Sequence, residues 1–417
     1  MRKSIFWLAG GFIVTLIAVL ATGQPQIEAR TIPITVNYSP GYGIKTFDAK
    51  GAGKTATIAT NTHLFAWRLT TINGVPMYQI GANQYIPRSL TQRGRLQAKE
   101  LNQAEDELVN DTHFQGNVLL IDHYKISSVR SYGWQNTDKN VKNNLTTEFP
   151  IASAEKTFTA VLIAQLIAKN KLSYTSKLSQ FYPDIPYASQ ITIRQLLDHR
   201  SGITIDEVYP DKAMTTETQA INWTLKNLHS SGKFEYAYAN ANFVLLAGIV
   251  RQVTKQSFAT VLQKQILGPL KMTQTKNFDQ VSVKHAAIGY QYADGKNNVP
   301  QPISQSLLSS LLGTGSIYTS VQDLARFQLA LDHQQLLSKP AFGALFTPTA
   351  EGTQYAGGWY RINGQRYVHG SYNDFSGSFD SLIEVSPTGS SGVILLANQS
   401  TDTDTQQLAN NLYQLVK

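Results

Sequence analysis

A serine and a lysine three positions apart stand in Phe149-Pro150-Ile151-Ala152-Ser153-Ala154-Glu155-Lys156, ahead of an apolar run with helical spacing. On a helix such residues share a face, so Ser153 Oγ and Lys156 Nζ can meet. A buried lysine gives up its charge more easily than one in water and can then accept the serine proton. A helix N-terminus also favours the negative charge that develops there. The other Ser-x-x-Lys, Ser230 to Lys233, has no helical pattern to carry it and reads as a loop. Taken alone, Ser153 and Lys156 read more readily as an N-cap serine with a surface lysine.

A second cluster follows some eighty residues on. In Phe234-Glu235-Tyr236-Ala237-Tyr238-Ala239-Asn240, a tyrosine and an asparagine lie two apart just before another apolar helix. Tyr238 on a tight connection can turn its hydroxyl toward Ser153, while Asn240 can hydrogen-bond Lys156. A tyrosinate serves as a base where nearby cations lower its pKa.

These residues need a frame. From His113 to Lys417 strands and helices mix. Val118–Ile121, Phe379–Val385 and Gly392–Leu396 read as buried strands, and Ala154–Ala168, Ile193–Leu197, Ala239–Val253, Val321–Leu331 and Thr405–Val416 as helices. Strands at both ends with helices between predict one α/β unit whose first and last strands share a sheet.

Over these 300 or so residues, the chain resembles the serine β-lactamase and penicillin-recognising superfamily, in its class C-like and D,D-peptidase branch. Besides the two clusters above, the resemblance rests on Ile191-Thr192-Ile193-Arg194-Gln195-Leu196-Leu197-Asp198-His199-Arg200-Ser201-Gly202-Ile203, on Leu267-Gly268-Pro269-Leu270-Lys271-Met272 and on the run from Gly313 to Phe327, all in the family's order. It implies a β-lactamase/transpeptidase-like α/β (α+β) domain over 112–417, an antiparallel sheet flanked by helices, with a helical subdomain. It further implies that Ser153 is the acyl-accepting nucleophile, Lys156 its proton partner, and Tyr238 and Asn240 the second motif. Asp198 and His199 match a block that supports the site without doing chemistry. The third motif falls on Arg366-Tyr367-Val368-His369-Gly370-Ser371. There His369 takes the place of the family's cation, set to bind a substrate carboxylate or polarise the tyrosine. Glycine stands second and serine third, so Ser371 occupies the place where a glycine would let substrate backbone lie against the strand. The oxyanion hole is expected from the Ser153 N–H and a second N–H just beyond His369-Gly370-Ser371.

The N-terminus sets the expected compartment. Arg2 and Lys3 precede an uncharged apolar run from Ile5 to Ala21, then Thr22-Gly23. This is the pattern of an export signal, and its length also suits a membrane anchor, so residues 1–23 are read as signal peptide or N-terminal anchor. The remainder is expected on the extracellular face of a bacterium, in the wall or held at the membrane. Residues 31–90 carry short alternating runs broken by Ser39-Pro40-Gly41, Gly51-Ala52-Gly53 and Asn73-Gly74, a small all-β module. Between Thr31 and Ala98 lie seven cations and one anion, Asp48. Such asymmetry favours an anionic partner. The stretch Asn73-Gly74-Val75-Pro76-Met77-Tyr78-Gln79-Ile80-Gly81-Ala82-Asn83-Gln84-Tyr85-Ile86 resembles the S-layer-protein type of cell-wall-binding domain, which implies attachment to a wall polymer such as peptidoglycan or teichoic acid. Residues 91–111 read as linker and first helix, with Leu101, Ala104 and Leu108 on one face.

Composition narrows the chemistry. The 417 residues include no cysteine, which excludes thiolate nucleophiles, disulfides and cysteine metal sites. No two histidines are spaced as a helical metal pair, so no metal and no cofactor is expected. A G-x-S-x-G elbow, which an α/β-hydrolase esterase needs, is missing, and the export signal argues against a nucleic-acid partner. The expected function is a wall-associated serine acyl-enzyme acting on D-alanyl peptide or ester bonds. A β-lactam-hydrolysing enzyme and a non-catalytic wall-binding protein on a dead hydrolase fold are the alternatives.

Overall fold

The computed structural model describes residues 32–36, 43–93, 98–110, 112–206, 209–293, 295–350, 353–362, 364–372, 379–399 and 402–416. The apolar run at 5–21 and the Ser39-Pro40-Gly41 turn lie outside them. Among the described residues no helix is long and apolar enough to cross a membrane.

Residues 32–93 form the all-β part, a five-stranded and a three-stranded antiparallel sheet. Ile34, Val36, Ile44, Tyr78, Ile80 and Ile86 close a core of their own between them. Asn73 and Gly74, at φ of +50° and +78°, make the predicted hairpin turn between Arg68–Ile72 and Val75–Gly81. Thr91–Arg93, expected in the linker, is instead a strand paired with Ile34–Val36.

The large domain is organised by seven antiparallel strands: β1 (Gln115–Asp122), β2 (Lys125–Tyr132), β3 (Tyr355–Ala356), β4 (Trp359–Ile362), β5 (Gln365–Ser371), β6 (Asp380–Val385) and β7 (Ser391–Gln399), in the order β2-β1-β7-β6-β5-β4-β3. The first strand pairs with the last, as expected, Ile121 opposite Gly392 and Val118 opposite Leu395. Every residue of β1 is buried because both sheet faces are covered. Val118 and Leu120 face α1 (Ala98–Asn110) and α6 (Asp402–Val416), packing near Leu101, Leu108, Leu408 and Leu412. Leu119 and Ile121 face the opposite way, into the main core.

That core is built around α2 (Glu155–Ala168). Eleven of its 14 residues are buried, which is why its sequence is apolar all round rather than on one stripe. It packs against α4 (Asn240–Thr254) and, through the stacked rings of Phe158 and Phe327 (3.8 Å between centroids), against α5 (Val321–Asp332). A short helix α3 (Ile193–Leu197) also packs on α4 and starts with a capping box between Thr192 and Gln195. These observed spans fall within a few residues of the expected ones.

Candidate active site

Ser153 sits on a turn forced into an unusual shape. Ala152 has φ of +45°, a left-handed conformation that alanine rarely adopts, and Ala152–Ala154 then form a single 3-10 turn leading into α2. Three contacts hold this turn. Ser381 Oγ on β6 donates to Ile151 O at 2.6 Å. Ala154 N donates to Ile151 O at 3.1 Å. Gly370 on β5 presses against the same segment: a Cβ there would lie 2.4 Å from Ile151 O and 2.8 Å from Ser153 N. No side chain fits, so the glycine of this motif serves the nucleophile turn itself.

Ser153 and Lys156 meet as their spacing predicts. Lys156 Nζ lies 2.9 Å from Ser153 Oγ, 2.8 Å from Asn240 Oδ1 and 3.3 Å from Thr314 O. Asn240 opens α4, whose packing on α2 carries its side chain to the lysine. From the other side the Tyr238 hydroxyl donates to Ser153 Oγ at 2.8 Å. The serine oxygen is thus shared between an amine and a phenol.

Electrostatics separates the two. Lys156 is 1% exposed, and burial pulls its pKa down from 10.5 to about 7, Glu155 opposing the shift. The neutral amine is therefore well populated at neutral pH, as a general base requires. Tyr238 moves the opposite way. Desolvation raises its pKa, Tyr360 adds to the rise, and the bond to Ser153 only partly offsets it. Its phenol stays protonated, which corrects the expectation that neighbouring cations would make it a tyrosinate. Its ring lies 4.2 Å from that of His199, centroid to centroid.

His199 is fully buried. Its Nδ1 accepts from Ala239 N at 3.2 Å and its Nε2 lies 3.2 Å from Tyr355 O–H. Burial, helped by Lys156, holds its pKa well below 6.5. A neutral imidazole fixed to the backbone beside Tyr238 and Asn240 positions the second motif. Neighbouring Asp198 instead pairs with Arg194, away from the serine.

His369 is not brought to the serine. Along β5 the side chains alternate. Tyr367 lies in the α1/α6 cluster, and Leu382, the cross-strand partner of His369, lies there too. His369 follows them: its Nε2 is 3.2 Å from Asp380 Oδ1, and Asp380 accepts from Thr405 on α6. The expected cation of the third motif thus belongs to the opposite sheet face. Ser371, at the end of β5, lines the cleft with Ser153 and Asn240. Tyr372 N–H donates to Phe379 O at 3.0 Å, so by the alternation of an antiparallel pair the Ser371 N–H is directed away from β6. The accompanying Phe375-Ser376-Gly377-Ser378 stretch lies outside the described residues.

The Beta-lactamase family model matches residues 101–416. The chain belongs to the beta-lactamase family. Its relatives include the putative penicillin-binding protein PbpX of Bacillus subtilis (26% identical, 77% of this chain and 80% of that one). Protein flp of Staphylococcus aureus is 32% identical over 70% of this chain, which spans 61% of that protein's length. Among solved structures, FmtA from Staphylococcus aureus matches with a TM-score of 0.67 at 22% identity, over 78% of this chain and 93% of that one. A D-amino acid amidase from Ochrobactrum anthropi matches with a TM-score of 0.63 at 19% identity, over 76% and 97%. These two likenesses speak for the fold, a β-lactamase/transpeptidase-like one.

Two members of this beta-lactamase-family site escape sequence reasoning. Glu155 is fully buried next to Lys156 and accepts from Ser316 N and from Ile317 N, the latter at 3.2 Å. Burial raises its pKa to about 7 and the backbone donors pull it back. It ties α2 to the segment bearing Thr314. Its place beside the motif lysine was the signal. Ser381 had none, since only the β5–β6 pairing brings it under the serine turn. Among the described residues no group of three or more His, Asp or Glu side chains is placed to hold a metal.

Proposed function

We propose that this member of the beta-lactamase family is an exported, wall-associated serine acyl-enzyme that cleaves D-alanyl peptide or ester bonds of the cell envelope. The observation that carries the reading is the double hold on Ser153 Oγ, 2.9 Å from an amine and 2.8 Å from a phenol. Lys156, neutral near pH 7, takes the serine proton as Oγ bonds to the substrate carbonyl carbon. The developing oxyanion meets the N–H groups of Ser153 and Ser371. Tyr238, a protonated phenol, passes a proton to the leaving group and is refilled from Lys156. Water then reverses the sequence and frees the acid. Asn240 and Thr314 O fix the lysine throughout. That one relative is named a putative penicillin-binding protein supports a site that accepts penicillin-like, D-alanyl-type substrates.

The basic module supports a polymer partner. Lys45, Lys50 and Arg88 are exposed on it. Reversing all three to Glu is expected to reduce sedimentation with purified walls while acylation persists; unchanged sedimentation removes the module from wall binding. For the chemistry, fluorescent penicillin is expected to label the protein through Ser153 and not its Ser153→Ala variant. Muropeptides and D-alanylated teichoic acid offered side by side, with released D-alanine measured, identify the bond. Serine-independent labelling or none defeats the acyl-enzyme reading.

A further inference from the structure

The cleft beside Ser153 has a charge pattern that the third motif does not explain. Its walls are largely apolar and neutral: Val244 from α4, Trp223, Leu307, Leu311 and Tyr372. Among the described residues lining it, the one carboxylate is that of Asp206. Its carboxylate is 75% exposed and has His229 Nε2 at 3.4 Å, a ring that is itself 67% exposed. No described Lys, Arg or His lines the cleft, since His369 is committed to Asp380 on the other sheet face. A substrate ending in a carboxylate, such as a D-alanyl-D-alanine peptide, would meet an anion there and, among the described lining residues, no Lys, Arg or His. A substrate carrying an ammonium would meet its complement.

Resting on the acyl-enzyme reading, we propose that the site selects unblocked aminoacyl esters or amides, substrates whose amine is free and protonated, and that Asp206 is the residue that recognises this ammonium. In such a substrate the acyl group moves to Ser153 Oγ, the alcohol or amine leaves with the proton delivered through Tyr238, and water returns the free amino acid. Asp206 takes no part in these bond changes. It acts on binding, through an exposed and therefore salt-sensitive attraction.

The test uses the full chain with D-alanine methyl ester and N-acetyl-D-alanine methyl ester, alongside fluorescent penicillin. The free-amine ester is expected to have the higher kcat/KM, by about fivefold, as an exposed charge pair provides. Asp206→Asn is expected to erase that preference, chiefly through KM, without changing the rate on the acetylated ester or the labelling by penicillin. In the parent protein the preference is expected to shrink as salt is raised. Ser153-dependent labelling with equal turnover of the two esters overturns the ammonium assignment alone, as does a preference that survives Asp206→Asn. Absence of Ser153-dependent labelling overturns the acyl-enzyme reading and the assignment with it.

Discussion

The two sides of Ser153 are built on different principles. On one side Lys156, Glu155 and His199 are shut away from water, and burial moves each of them toward its neutral form: the lysine down, the carboxyl up, the imidazole down. On the other side Asp206 and Ser371 line an open cleft, where charges are screened. In the proposed mechanism the dry half holds and moves protons, which requires fixed groups at tuned pKa values. The wet half would sort substrates, which requires only complementary charge and shape. Mutations in the first are therefore expected to change kcat, and those in the second KM.

The largest break is expected at Lys156. Lys156→Ala removes the base and is expected to slow acylation by about 10³- to 10⁴-fold, measured as the rate of fluorescent-penicillin labelling. Gly370→Val comes next. Its side chain meets Ile151 O and Ser153 N, and displacing the nucleophile by about an ångström is worth about 10²-fold in the same assay, with the circular dichroism spectrum retained. Tyr238→Phe keeps the ring against His199 but deletes the relay, and about 10²-fold is expected, in kcat rather than KM.

The pH dependence sharpens the contrast. The working form of Lys156 is the deprotonated one, so acylation is expected to rise with pH and reach half its maximum near 7, far below the 10.5 of an ordinary lysine. Tyr238, shifted upward, is expected to add no fall on the alkaline side up to pH 9 or so. A profile with its midpoint above about 9 would show the lysine to be solvated. The smallest effect is assigned to His369. His369→Ala is expected to change kcat/KM by less than about threefold, because its partner is Asp380 on the far face. A larger loss would return it to the cleft.

How much of this was legible depended on how local the information was. Ser153 with Lys156, and Tyr238 with Asn240, are patterns within a few residues, and the helices carrying them have apolar sequences that announce themselves. His369 failed for a defined reason. A strand sends alternate side chains to opposite faces, so knowing that a motif lies on a strand leaves its facing open by one residue. The collision at Gly370 settles the register, and that collision depends on Ile151, more than two hundred positions away. Ser381 and Asp206 are invisible in the same way. Each acquires its meaning from a neighbour supplied by the tertiary fold. The all-β module was visible through Asn73-Gly74, whereas the strand Thr91–Arg93 was not, because a short polar segment becomes a strand only when Ile34–Val36 offers it an edge.

The pairing of β1 with β7 also has a consequence in time. The middle of the large sheet joins residue 118 to residue 395, so it cannot form until synthesis has passed residue 395. The small N-terminal sheets draw all their partners from within some sixty residues and can be complete long before. During its production the chain therefore carries a finished head and an unfinished body. A chain stopped before β6 would leave the serine turn without Ser381.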